Sequence, residues 1–249
     1  MRRRAALAAT PAALGTSGLG LAGWLGRPPR LPFEPLRDPP GCRRLAGRAL
    51  ATSPAAAALA GLDPRADPGA DGVADGGAGP GGADLRWLHL ADGTGLPAAF
   101  VTDFASPVCG PLDERLAARK SSGEIALTRH PVARLGAASA PAALAAAAAE
   151  LQGGSLDRRL YRSRFLPTEG WLRAVAAEEG LDPDRLIADM GGAAAQGRVA
   201  RSEALARRFG VAAVPVVVIG RTVVTGAPAR RALDALIEHE REAMWATTS

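Results

Sequence analysis

Ser106 and Cys109 stand on either side of Pro107 and Val108, inside the stretch Asp103-Phe104-Ala105-Ser106-Pro107-Val108-Cys109-Gly110-Pro111. An apolar run, Pro97 to Thr102, leads in, and a helical-looking run, Leu112 to Lys120, leads out. The spacing predicts a strand feeding a helix through a tight turn. Ser106 is expected at the N-cap, where its hydroxyl would accept from a first-turn N–H. Pro107 then falls at the first helical position and Cys109 at the third, with Gly123 ending the helix. The chemistry open to such a pair is that of sulfur. A cysteine at a helix N-terminus has a lowered pKa, and its thiolate attacks or leaves a disulfide. A serine in the first position is a good cap, a poor nucleophile, and unable to form a disulfide.

This pattern resembles the DsbA-like family of thiol–disulfide oxidoreductases, in which an acidic–aromatic pair runs into C-P-x-C. Asp103, Phe104, Pro107 and Cys109 match. Ser106 departs: it stands where the family carries its attacking cysteine, so a dithiol–disulfide cycle within the motif is chemically impossible. A second match lies at Gly210-Val211-Ala212-Ala213-Val214-Pro215, which looks like the family's cis-proline loop. The resemblance implies an α/β, thioredoxin-like fold with a helical insertion between the second strand and the cis-proline hairpin. It implies a cis Pro215 with Val214 facing the site. It also implies that Pro107, Val108, Val214 and Pro215 line a groove for extended polypeptide, with Cys109 as the remaining thiol. The expected partners are exported polypeptides or a redox partner protein. Two functions stay open: an oxidoreductase weakened by Ser106, and a redox-inactive peptide-binding or chaperone-like module. A hydrolase built on Ser106 lacks both a Gly-x-Ser-x-Gly elbow and an obvious base.

The elements that must position this motif are readable from periodicity and punctuation. Glu124 to Arg129 reads as a second strand, ended by His130-Pro131. Helical patterns follow over Pro141–Gln152, Leu156–Phe165, Thr168–Glu179, Asp184–Met190 and Ala193–Phe209. Asp182-Pro183 is a cap followed by a first-turn proline. Two β-branched runs around Gly220-Arg221 read as an antiparallel hairpin, and Ala227 to Trp245 as a final amphipathic helix. Tyr161 and Trp171 read as packing or groove-lining residues. The domain is therefore expected over 97–245. Residues 27–96 form a linker and extension. Within it Arg27–Pro40 is a linker, 41–62 holds a short strand pair or helix, 63–84 is a low-complexity loop, and Leu85–Leu90 is a strand.

The N-terminus carries an address. Met1-Arg2-Arg3-Arg4 precedes an uncharged stretch, Ala5 to Gly26, broken by Pro11 and several glycines. Residues 1–26 read as a signal peptide or a retained signal-anchor, which directs the chain to a bacterial periplasm, with residues 5–26 as a membrane anchor in the second case. Basic residues outnumber acidic ones by 30 to 25, yet they are interspersed with acids, as solvated helix faces are, so no nucleic-acid surface is expected. Cys42 and Cys109 are the two cysteines. Separate thiols are the plainer reading and a Cys42–Cys109 disulfide the sharper one, and sequence does not place their Cα atoms. His89 is expected on a solvent-facing strand position and His239 on an exposed helix face. His130 reads as a strand-end residue, or as a tuner of the thiol if it faces the motif. Three scattered histidines and two distant cysteines make no metal site, and no cofactor is expected.

Overall fold

Residues 31–37, 39, 41–46, 88–90, 95–163 and 165–246 are described by a computed structural model. The expected order of strand, helix, strand, helical block, hairpin and helix is the order the chain adopts. Two short strands come first, β1 (Phe33–Pro35) and β2 (Arg43–Leu45). Strand β3 (Leu96–Thr102) runs parallel to β4 (Ile125–Pro131), with Val101 level with His130. Helix α1 (Cys109–Ser121) forms the crossover between them. Strands β5 (Val216–Ile219) and β6 (Thr222–Thr225) make the hairpin, and β5 lies antiparallel to β3 with Val101 opposite Val216. The tight turn needs Gly220 at φ 55°, and a side chain there would also strike Glu240 Oε2, 2.7 Å from an added Cβ. Strand β2 pairs parallel with β6, so the sheet reads β1-β2-β6-β5-β3-β4.

Strand β3 is buried at nearly every position because helices cover both faces of the sheet, which is why its sequence is apolar without alternation. Side chains of α1, of α6 (Ala193–Arg208) and of α7 (Arg230–Ala246) join this sheet core through Leu112, Leu116, Leu205, Leu233 and Leu236. Helices α2 (Ser139–Leu151), α3 (Asp157–Arg162), α4 (Glu169–Glu178), α5 (Pro183–Gly191) and α6 form the insertion between β4 and β5. They enclose a second core rich in alanine. Local caps start two of these helices, the one at Asp182 as expected. Thr168 accepts from Trp171 N, and Asp182 accepts from Asp184 N and Arg185 N ahead of Pro183.

Several expectations are corrected. Of the strand pair or helix expected over 41–62, Arg43–Leu45 forms β2 and pairs with β1, which falls inside the stretch read as a linker, while 47–62 lie outside the described residues. The β1–β2 pair is held in place by its side chains. Arg43 binds Thr222 Oγ1 (2.8 Å) and Glu240 (2.7 Å) and lies over the Phe33 ring. Phe33 in turn stacks on His239 at 5.0 Å, so His239 is half-buried rather than exposed. Leu88–Leu90 is not a strand: Leu90 N donates to Thr128 Oγ1, and Leu88 O meets His130 Nε2, so side chains of β4 hold this segment. His89 is half-buried and reaches backbone at Ala98 and Gly220 instead of facing solvent. Helix α3 stops at Arg162, leaving Phe165 82% exposed. Residues 1–26, 63–84 and 85–87 lie outside the described residues.

Candidate functional site

The site is assembled where β3 ends. Asp103 follows Thr102 and is fully buried, so its carboxylate must find donors. It finds three backbone ones: Oδ1 accepts from Ala105 N (2.9 Å), and Oδ2 accepts from Arg134 N (2.8 Å) and Leu135 N (3.0 Å). One side chain thus ties the loop after β3 to the loop after β4. The chain then turns twice, with Ser106 N donating to Asp103 O and Cys109 N to Ser106 O.

These turns correct the expected cap. Val108 is the N-cap and Cys109 the first helical residue, two places earlier in the helix than the spacing implied. Ser106 stands outside the helix, and its Oγ accepts a long bond, 3.4 Å, from Val108 N. The turn that Asp103 anchors takes up the residues that would have begun the helix. The far end follows expectation. Gly123 has φ 75°, its N–H reaches Lys120 O, and Glu124 N reaches Arg119 O, which together close the helix.

Cys109 is wholly inaccessible. Burial pushes its thiol above the ordinary value, against the hydroxyl of Ser106, backbone at Asp103 and the hydroxyl of Thr102, which favour the thiolate; the Asp103 charge adds to the rise. Val214-Pro215 is a cis peptide, as expected. Continuing the β3–β5 register by one residue sets Pro215 opposite Thr102, so two motifs far apart in sequence meet at one end of the sheet. Val214 and Pro215 are buried, Val214 sharing the core cluster of Cys109, while Pro107 is exposed and Val108 half-buried.

Cys42 takes no part. The two cysteines are not joined. Arg43 is level with Thr222, Thr222 with Ile219 and Ile219 with Ala98, which places Cys42 at the opposite end of the sheet from the motif. The run from Ala98 to Thr102 alone covers about 13 Å, well past the Cα separation a disulfide spans. His130 does not face the motif either. Its ring nitrogens meet Leu88 O at 2.9 Å and Arg198 at 3.3 Å, and burial pulls its pKa down to about 4. Ser106 therefore has no histidine base.

Sequence marks Phe104 as part of the motif and Tyr161 as a packing or groove-lining residue, but does not mark Thr102, Asp113, Arg129 or Asp157 as parts of the site. Thr102 Oγ1 lies 2.6 Å from the phenol oxygen of Tyr161. Phe104 packs into the insertion core against the Tyr161 ring. Beside them Arg129 binds Asp113 through two bonds (2.6 and 3.2 Å) and lies 3.5 Å from Asp157, whose pKa is raised by burial. This cluster lines a cavity of about 190 Å³ between α1 and α3. Nothing in residue spacing marks this grouping, because Thr102, Arg129, Asp113 and the Asp157–Tyr161 pair come from β3, β4, α1 and α3. Among the described residues, no three His, Cys, Asp or Glu side chains converge to hold a metal ion, and no helix is long and apolar enough to cross a membrane.

A family model for the DSBA-like thioredoxin domain matches residues 112–238, slightly more than half of the chain. The chain belongs to the DSBA-like thioredoxin family. The fold is accordingly thioredoxin-like, α/β, with a helical insertion. Solved structures agree. A thioredoxin-like oxidoreductase from Silicibacter pomeroyi DSS-3 is 25% identical with a TM-score of 0.52, over 58% of this chain and 86% of that one. The thiol-disulfide exchange protein alpha-DsbA2 from Wolbachia pipientis is 18% identical with a TM-score of 0.56, over 63% and 88%. The catalytic domain of Proteus mirabilis ScsC is 19% identical with a TM-score of 0.53, over 61% and 86%. No curated protein matches the chain. The DSBA-like match begins three residues past Cys109, so the Ser106–Cys109 motif lies just outside it.

Proposed function

We propose that this protein is a DsbA-like thiol–disulfide oxidoreductase of the cell envelope in which Ser106, in the place of the attacking cysteine, leaves a weak catalyst. The observation that carries the reading is the state of the remaining sulfur: Cys109 is the motif's one thiol, fully buried, with its pKa raised by that burial. A raised pKa leaves less thiolate at neutral pH, and thiolate is the attacking species. The chemistry left to Cys109 is a single exchange. Its thiolate attacks one sulfur of a substrate disulfide, the second sulfur departs as thiolate and takes a proton, and an outside thiol later resolves the mixed disulfide. The partners are exported polypeptides or a redox protein, met at a surface of Pro107, Val108, Val214 and Pro215. Residues 1–26 direct export to the periplasm as a signal peptide or anchor, and 97–245 form the DsbA-like domain.

The buried thiol also favours a second reading, a redox-inactive module that holds extended polypeptide. Ala105, Pro107 and Leu135 are exposed around the inaccessible sulfur. Insulin reduction and oxidation of a dithiol peptide separate the two. Wild type is expected near background, and Ser106→Cys is expected to raise activity on the order of tenfold or more by restoring a vicinal pair. Family-typical rates in wild type would overturn the weakening by Ser106. An inert Ser106→Cys variant would leave the binding module as the better account.

A further inference from the structure

Tyr161, on α3 of the insertion, packs against both cores of the molecule. Its ring meets Phe104 just ahead of the motif, with centroids 4.7 Å apart. The same side chain closes over Gly110 just behind it, where a Cβ would sit 3.3 Å from Tyr161 Cβ. Between these contacts its phenol oxygen is 2.6 Å from Thr102 Oγ1, on the last residue of β3. Thr102 and Cys109 are both fully buried, and the Thr102 hydroxyl is one of the groups that favour the Cys109 thiolate. A buried hydroxyl that accepts from one partner has its own proton for another.

We propose that Tyr161 is a positioning residue for the Cys109 thiol: its phenol donates to Thr102 Oγ1, and this turns the Thr102 proton toward Cys109 Sγ. The proposal rests on the reading of Cys109 as the working sulfur. It goes beyond that reading by giving the insertion a part in setting the thiol's state. The phenol is neutral in this role, since burial raises its pKa well above the ordinary value. The charged groups facing the array are Asp103 behind the motif, and Asp113, Asp157 and Arg129 behind Tyr161. Ser106 is the second hydroxyl that favours the thiolate, and its Oγ takes its own bond from Val108 N rather than from the insertion.

The test uses the full chain carrying Cys42→Ser, so that one thiol is observed. The Cys109 ¹³Cβ chemical shift is titrated with pH, and the S–H stretching band is recorded at neutral pH as a reading that needs no titration. Tyr161→Phe keeps the ring against Phe104 and Gly110 and removes only the hydroxyl. It is expected to move the midpoint up by about half a pH unit and to shift the S–H band. Thr102→Val should do at least as much, Thr102→Ser should restore wild-type values, and Tyr161→Phe should add nothing once Thr102→Val is present. Wild-type values for Tyr161→Phe in both readings, or a full additive effect on top of Thr102→Val, would overturn the proposal. Neither reading involves turnover, so an inert Ser106→Cys variant would count against the proposed function and leave this result standing.

Discussion

The two cores are built on opposite principles. The sheet core is filled by large side chains, among them Phe100, Leu112, Leu116, Val217, Val218 and Ile219. The insertion core sets eight buried alanines beside fewer large side chains, such as Leu156, Leu172 and Leu186. Ala145 to Ala149 are five consecutive buried alanines, so α2 is covered on all sides rather than along one stripe. Side chains that interlock fail when one is removed, because a cavity remains. Where helices pack through alanine there is little to remove, and they fail when something is added. The motif stands where these two kinds of packing meet, with Cys109 in the sheet core, Phe104 in the insertion core and Tyr161 against both.

The contrast can be broken by mutation. Phe100→Ala, at a fully buried site in the sheet core, should lower unfolding free energy by about 3–5 kcal/mol in chemical denaturation. A loss below about 1 kcal/mol would mean that the sheet core is not interlocked. The seam between the regions carries a pH dependence of similar size. His130, on β4, meets Arg198 on α6, and its native pKa lies near 4 against 6.5 for the free side chain. Above about pH 6.5 both states are neutral there and the residue contributes nothing to the slope. As pH falls toward 4 the unfolded chain takes up a proton that the native state refuses, so stability declines, by about 3 kcal/mol in full. His130→Gln should flatten that part of the stability–pH curve, and an unchanged slope would place the titration elsewhere.

Enlargement tests the other half of the comparison. Ala148→Leu in the fully buried middle of α2 should cost about 1–3 kcal/mol by overpacking. If calorimetry shows it neutral or stabilising, the alanine core is loose and the contrast collapses. The smallest effect belongs to the insertion's rim. Asp182→Ala removes the cap that receives Asp184 N and Arg185 N, and should cost roughly 0.5–2 kcal/mol. That loss is expected to appear as fraying of α5 in amide exchange before it appears in the global transition.

Much of this arrangement was legible in the chain. The Asp182-Pro183 helix start, the Gly123 stop, the hairpin around Gly220 and the proline at 215 were each marked by residues within a few positions of one another. The motif's turn was half legible. Residue types at 106–109 were readable, but the helix begins at Cys109 because buried Asp103 binds Ala105, Arg134 and Leu135 and so reshapes the turn. His239 and Phe33 read separately as an exposed helix residue and a linker residue, yet they stack on each other across the molecule. Charge pairs show the same divide: Arg173 with Glu169 is an i,i+4 pair visible in sequence, whereas Arg43 with Glu240 is not.

By itself the sequence determined the order of the elements from β3 onward, several of their ends, and the Ser-Pro-Val-Cys order at positions 106–109. Those properties depend on backbone geometry and on neighbours within about one helical turn. Tertiary structure alone decided that Cys109 is shut away from solvent, that Cys42 lies at the sheet's other end, and that Tyr161 and Thr102 share a bond beside the thiol. Such pairings follow from strand order and from the docking of the insertion, which bring together residues dozens of positions apart that no local pattern connects.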